Sequence, residues 1–195
     1  MIYRQNFTFY QKKTGFASFP GGLAWLVVSV IGLSLACHSS AFAQTALPLK
    51  PAHETIFPTE RLAAKDGTNF AIADHDGALI VNFWASWCAP CVHELPDLAE
   101  ASRAFKAADI AISVALISVD RKGHDHAQNF LDELGIADVI SAYNPESTWA
   151  RALGVRGLPS TYLISADRDK IFLIQGPAAW ADEAVMAEIV DAIYE

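Results

Sequence analysis

The chain has 195 residues, 52% of them hydrophobic, and 22 acidic against 14 basic residues give a net charge of −8. That apolar content excludes disorder over most of the length, and the size suits one domain with a real core. Three cysteines are too few for the bridged framework of a small secreted fold.

Residues 1–43 read as an export signal. Arg4, Lys12 and Lys13 are followed by an apolar run from Leu23 to Ala36, then by Ala41-Phe42-Ala43, and no acidic residue precedes Glu54. Basic segment, short apolar segment and small-residue A-x-A site are the order of a secretory signal, with cleavage expected after Ala43. The run is short against the roughly 20 residues of a spanning helix. Residues 21–43 could still serve as a membrane anchor if uncleaved. Leu35-Ala36-Cys37 is similar to the end of a lipoprotein signal, although Ser34 stands where an aliphatic residue is usual. The preferred reading of Cys37 is a small apolar residue in a discarded signal. Removing residues 1–43 takes away three cations and no anion, leaving 11 basic against 22 acidic residues, a net charge of −11. So acidic a domain argues against a nucleic-acid partner.

Residues 44–55, with two prolines and no period, are expected to be a linker, and 56–195 the folded domain. Ile56 to Ala73 suit one or two short strands around an Asp66-Gly67 turn. Ala78 to Ala85 are apolar almost throughout, as in a strand buried on both faces. A helical pattern runs from about Pro90 to Ala107, with Pro96 expected to kink or restart it. Ile110 to Val119 form a second buried strand, ending at Asp120. Ala127, Phe130, Leu131 and Leu134 have helical spacing before a stop at Gly135. A short strand near Val139–Tyr143 precedes a short helix from Pro145 to Leu153, with Asn144 as N-cap. Thr161–Ile164 and Ile171–Ile174 suit a hairpin, and a last helix runs from about Ala181 to Tyr194. Strands alternating with helices imply a sheet covered on both faces.

Cys88 and Cys91 fall where a buried strand gives way to a helix. Free backbone N–H groups and the positive end of the helix dipole meet there. Thiols so placed fall from about 8.5 into the range of roughly 3.5 to 7.5. The two-residue spacing brings Cys91 within reach of a mixed disulfide on Cys88, so Cys88 is the expected nucleophile and Cys91 the resolving thiol. Pro90 suits a first helical turn because its missing N–H would be unpaired there. A zinc site is disfavoured: no second cysteine pair exists, and His93, His124 and His126 lack zinc-finger spacing. Haem attachment requires histidine directly after the second cysteine, and Val92 occupies that place. The remaining alternative is an inert pair of buried thiols.

The run Val81-Asn82-Phe83-Trp84-Ala85-Ser86-Trp87-Cys88-Ala89-Pro90-Cys91 resembles the thioredoxin superfamily. Glu94, Leu95 and Pro96 narrow the likeness to the TlpA/ResA-like branch of envelope thiol:disulfide oxidoreductases. Gly154-Val155-Arg156-Gly157-Leu158-Pro159-Ser160-Thr161-Tyr162-Leu163-Ile164 is similar to that branch's second signature. The resemblance covers 57–195 and implies an α/β, thioredoxin-like fold: a central mixed β-sheet flanked by helices on both faces. It implies that Pro159 is a cis-proline facing the cysteines, with Leu158 backbone groups beside Cys88 ready to pair with an extended substrate segment. It places Trp87 beside the redox pair and Glu94 near Cys91, where a partly buried carboxylate would have a raised pKa and exchange a proton with Cys91. A solvated first-turn glutamate, favourable to the helix dipole, is the alternative. Asn82 departs from thioredoxin itself, which has a buried aspartate there; the proton-handling role then falls to Glu94 or water. His93 is expected to be a solvated helix residue, and His124 and His126 to be solvated at the start of a surface helix.

Ala89-Pro90 between the cysteines offers no charge or imidazole to stabilise a thiolate, which favours a reductant over an oxidant. The resemblance implies a reductase in the periplasm or on the outer face of the cytoplasmic membrane, fed by a membrane thiol donor of the DsbD/CcdA kind. Its targets would be protein disulfides, such as those of apocytochrome c or of respiratory oxidase copper sites. No cofactor and no metal is expected. A disulfide-donating oxidase, a peroxiredoxin-like peroxidase and a copper-binding assembly factor are the competing readings. The acidic surface suggests steering of a basic partner.

Overall fold

A computed structural model describes residues 46–65 and 67–195. The export signal or anchor expected in 1–43 and Asp66 of the expected turn lie outside the described residues.

The frame is set by β4 (Ala78–Trp84), whose seven residues are all buried. Each edge of β4 is taken by another strand. β5 (Ile112–Ser118) runs parallel to it, and β7 (Ser160–Ile164) antiparallel. β6 (Ile140–Tyr143) continues the parallel side, and β8 (Ile171–Gln175) forms the hairpin with β7. Short strands β1 (Lys50–Pro51), β2 (Leu62–Ala64) and β3 (Asn69–Phe70) complete an eight-stranded mixed sheet in the order β1-β8-β7-β4-β5-β6-β2-β3. The helices are α1 (Ala89–Ala107), α2 (His124–Glu133), α3 (Thr148–Ala152) and α4 (Glu183–Tyr194). Among the described residues no helix is long and apolar enough to cross a membrane.

Period-2 alternation along β4 divides the core in two. Ala78, Ile80 and Trp84 pack with Leu95, Leu98 and Phe105 of α1, Leu131 of α2, and Ile189 and Ile193 of α4. Leu79, Val81 and Phe83 face the other way, onto Trp149 of α3, Tyr162 and Ile72. Helices therefore cover both faces, unequally. Asn82 is the one polar residue of β4, and its parity points it at the α1–α4 face.

Three elements differ from expectation. The expected linker carries β1, which pairs with β8 through Lys50↔Leu173 and Pro51↔Phe172. Leu47 is buried and its amide donates to Glu188 Oε2 at 3.0 Å. Without this segment β8 would present an open sheet edge, and Pro51 is tolerated on an outermost strand. Pro96 does not restart α1, which runs unbroken over 19 residues; the proline ring is exposed while Leu95, Leu98 and Ala99 are buried, so packing holds both halves in line. Asn144 is not the N-cap of the helix after β6: the regular turns begin only at Thr148, after Ser147, although Asn144 Oδ1 accepts the Trp149 amide at 3.1 Å. The Ser147 backbone before them is left-handed (φ 53°).

Arg168 at the β7–β8 turn (φ 65°) ties this hairpin to the chain entering β4. Its guanidinium donates to the carbonyls of Ile72, His75, Gly77 and Ser165 at 2.6–2.9 Å. Arg168→Ala is expected to lower stability by about 2 kcal/mol, read as a fall in the urea midpoint. The reduction potential of the cysteine pair should stay unchanged, because the clamp sits at the opposite end of the strands.

Candidate active site

The C-terminal ends of parallel strands open a natural crevice in an α/β sheet, and β4 ends there. The chain turns through Ala85, Ser86 and Trp87 and enters α1 with Cys88 as N-cap in extended conformation (φ −91°, ψ 96°). An N-cap side chain normally takes the amide of the second or third helical residue. Pro90, the second, has no amide, which leaves that of Cys91. No acidic residue stands in the first turn to compete for the dipole. Cys88 and Cys91 are joined as a disulfide, with Sγ–Sγ 2.08 Å and Cα–Cα 5.3 Å. Cys88 is 6% exposed and Cys91 fully enclosed, so of the two only Cys88 reaches the surface.

One helical turn further, Glu94 is buried. Its Oε1 accepts from Asn82 Nδ2 at 2.8 Å, and its Oε2 accepts from the Trp180 indole at 2.9 Å and the Ala178 amide at 3.2 Å. Burial pushes the carboxyl pKa up; the bonds from Trp180, Asn82 and Ala178 pull the other way, and nearby Asp97 adds to the rise. Asn82 Nδ2 also donates to Thr161 Oγ1 at 2.9 Å. The strand register dictates this meeting: Asn82 pairs with Thr161 across β4 and β7, on the face where α1 packs. Asn82 Oδ1 finds no donor among the described residues.

The cis peptide bond Leu158–Pro159 lies immediately before β7. Phe83 pairs with Ser160, so this bond is beside the end of β4, next to the turn that carries Cys88. Pro159 is buried, and Leu158, half-buried, packs against both core clusters. Pro90 occupies the first turn of α1 and is exposed, as is His93.

Trp87, adjoining Cys88 in the chain, is 68% exposed. The inward place is taken by Trp84, whose ring lies 5.9 Å from that of Phe130. His126 is only partly solvated. It is half-buried, with Nε2 3.1 Å from Ser86 Oγ. His124 sets its ring edge-on to Tyr143 at 6.0 Å.

Thr161, Trp180 and the Ala178 amide were not singled out from the sequence. Thr161 follows once the pairing of β4 with β7 is known. Trp180, in a loop without period, gives no signal of its own. Asp120 was seen only as the end of a strand, whereas its carboxylate holds the turn before Cys88: Oδ2 accepts the Ser86 amide at 2.7 Å.

The Redoxin family profile matches residues 51–189. The chain is 34% identical over 122 residues to the thiol:disulfide interchange protein CycY of Rhizobium leguminosarum bv. viciae, covering 61% of this chain and 62% of that protein. It is 32% identical over 127 residues to the thiol:disulfide interchange protein HelX of Rhodobacter capsulatus, covering 64% and 66%. It therefore spans just under two thirds of the length of these curated relatives. Among solved structures, a Chlorobium tepidum protein assigned as thiol:disulfide interchange protein DsbE superposes with TM-score 0.60 at 27% identity, over 70% of this chain and 94% of that one. StoA of Bacillus subtilis, at 15% identity, gives TM-score 0.57 over 69% and 98%, a likeness of fold alone.

Glu94 gives a pH signature. A carboxyl with a raised folded-state pKa binds its proton more tightly folded than unfolded. Its contribution to stability is full below the ordinary value of 4.5 and is lost as pH rises through the raised value. The urea midpoint of the oxidised protein should therefore fall from about pH 4.5 upward. Glu94→Gln should flatten that part of the profile, whatever its absolute stability.

Proposed function

Because this chain belongs to the Redoxin family and joins Cys88 to Cys91 at a strand-to-helix junction, we propose that it is a thiol:disulfide oxidoreductase working as a reductase on protein disulfides. The single observation that carries the oxidoreductase reading is the position of Cys88 as N-cap of α1. Unclaimed backbone donors and the helix dipole there favour its thiolate, while Cys91 stays enclosed behind it. The reducing direction rests on the uncharged Ala89-Pro90 between the cysteines.

The Cys88 thiolate attacks one sulfur of a substrate disulfide. The substrate S–S bond breaks, a mixed disulfide forms on Cys88, and the other substrate sulfur leaves as a thiolate that takes up a proton. Cys91 gives its proton to the Glu94 carboxylate and attacks Cys88 Sγ. The second substrate sulfur then leaves, and the Cys88–Cys91 disulfide closes. Two electrons have passed to the substrate, and an external dithiol restores the pair by the reverse exchange. Glu94 suits its part because burial raises its proton affinity towards the working range. Hydrogen bonds from Asn82, Trp180 and the Ala178 amide hold it one helical turn after Cys91. Leu158, before Pro159, would offer backbone groups to an extended substrate segment, and exposed Trp87 would offer apolar surface to it.

The basic and apolar pattern of residues 1–43 supports export to the periplasm, with residues 21–43 either cleaved off after Ala43 or kept as an anchor on the outer face of the cytoplasmic membrane. There the dithiol would come from a membrane donor of the DsbD/CcdA kind. The substrates we favour are the haem-site cysteines of apocytochrome c or copper-site cysteines of a respiratory oxidase, each of which must be reduced before it can bind its group.

Trapping tests the order of events. Cys91→Ser should accumulate a dithiothreitol-sensitive adduct between Cys88 and a disulfide-bearing protein, visible on non-reducing gels. Cys88→Ser should form none and reduce protein disulfides no faster than the free dithiol donor. Adducts that form on Cys91 in the Cys88→Ser protein would contradict the assignment of nucleophile and resolving thiol.

A further inference from the structure

A buried carboxylate at the end of β5 plays no part in this exchange chemistry. Asp120 is 0% exposed. Its Oδ2 accepts the Ser86 amide at 2.7 Å, and its Oδ1 accepts the Ser86 hydroxyl at 3.2 Å. Nε2 of His126, on α2, lies 3.1 Å from the same hydroxyl. Since the Ser86 hydrogen is committed to Asp120, Nε2 is the donor in that contact. Asp120 forms no ion pair among the described residues. Arg121 and Lys122 follow it in the chain but are exposed. On α1, the ionisable groups nearest the cysteines in sequence are exposed His93 and buried Glu94.

Two facts need a common cause. A carboxylate enclosed without a cation is costly, and holding an amide and a hydroxyl does not require one, since an asparagine could do both. What a carboxylate adds is charge. Ser86 stands two residues before Cys88 in the same turn, so the clamp fixes the approach to the nucleophile and sets a negative charge behind it. A like charge near a thiol disfavours its thiolate, and a dithiol whose thiolate is disfavoured gives up its electrons more readily.

We propose that Asp120 is a positioning residue that locks the Ser86–Cys88 turn and whose charge biases the Cys88–Cys91 pair towards the disulfide, the bias a reductase requires. The proposal rests on the reductase reading of the same pair. It assigns the reducing character to a group outside the Cys-x-x-Cys dipeptide, which carries no charge. His126 is the second member of the device: its Nε2 lies 3.1 Å from the Ser86 hydroxyl that Asp120 accepts, and it is the basic group of the cluster.

Asp120→Asn separates charge from geometry. Its Oδ1 can accept the Ser86 amide while Nδ2 donates to Ser86 Oγ, whose hydrogen then turns to His126 in its other tautomer. In the full chain equilibrated against glutathione, Asp120→Asn should shift the dithiol-to-disulfide ratio towards dithiol by roughly three- to tenfold. The pH midpoint for alkylation of Cys88 should fall with it. Ser86→Ala keeps the charge and should leave the ratio within about twofold of wild type. Should Asp120→Asn fail to fold, His126→Arg reads the same charge from a half-buried helix position. It places a fixed cation against the cluster and should shift the ratio in the same direction. Wild-type ratios in the folded Asn and Arg variants would overturn the proposal, and so would a Ser86→Ala shift as large as that of Asp120→Asn. If the wild-type pair does not exchange with glutathione at all, it is the oxidoreductase reading that fails.

Discussion

β4 is paired on both edges and packed on both faces, and the chemistry depends on where it stops. A strand with no free edge and no free face has only its end at which to present anything. At that end the backbone must leave the ladder, and the next element is a helix whose first amides have no partners. Cys88 sits on that discontinuity. The same strand aligns Asn82 with Thr161 on β7 and points both at α1, so the polar network beneath the cysteines is fixed by the register that fixes the sheet.

A buried Glu94 runs against the usual preference of carboxylates for water. Three donors from two separate segments meet its two oxygens: a side-chain amide from β4, and an indole and a backbone amide from the loop before α4. They hold the group in place without cancelling the effect of burial. The balance leaves a carboxyl that keeps its proton to higher pH than a surface glutamate, the property required of a proton partner for a resolving thiol. In the turn before Cys88, Asp120 is clamped to Ser86. Two enclosed acids thus belong to the segments that carry the cysteines, Glu94 one helical turn after Cys91 and Asp120 bound to the turn before Cys88.

Much of this was legible in the chain. The unbroken apolar run Ala78–Ala85 marked the central strand, because only a strand buried on both faces tolerates it. The Cys-x-x-Cys spacing at a strand-to-helix change marked the redox pair through the physics of helix ends. What was not legible depended on tertiary pairing. Nothing local in Gln44 to Thr55 shows that Lys50–Pro51 must cover the edge of β8. Nothing local to Trp180 shows that its indole reaches Glu94. Trp87 and Trp84 have similar sequence surroundings, and only the geometry of the turn decides that one faces solvent and the other the core. His126 has the look of a surface helix residue, and it is drawn inward by a serine 40 positions earlier.

The central claim is that Cys88–Cys91 is a reducing pair, and its reduction potential tests this most directly. Equilibration of the full chain in dithiothreitol and glutathione buffers, read by the fraction of free thiol, should give a value near or below about −270 mV. A value near −120 mV, roughly that of a strong disulfide donor, would mean that the pair oxidises its partners and would contradict the account.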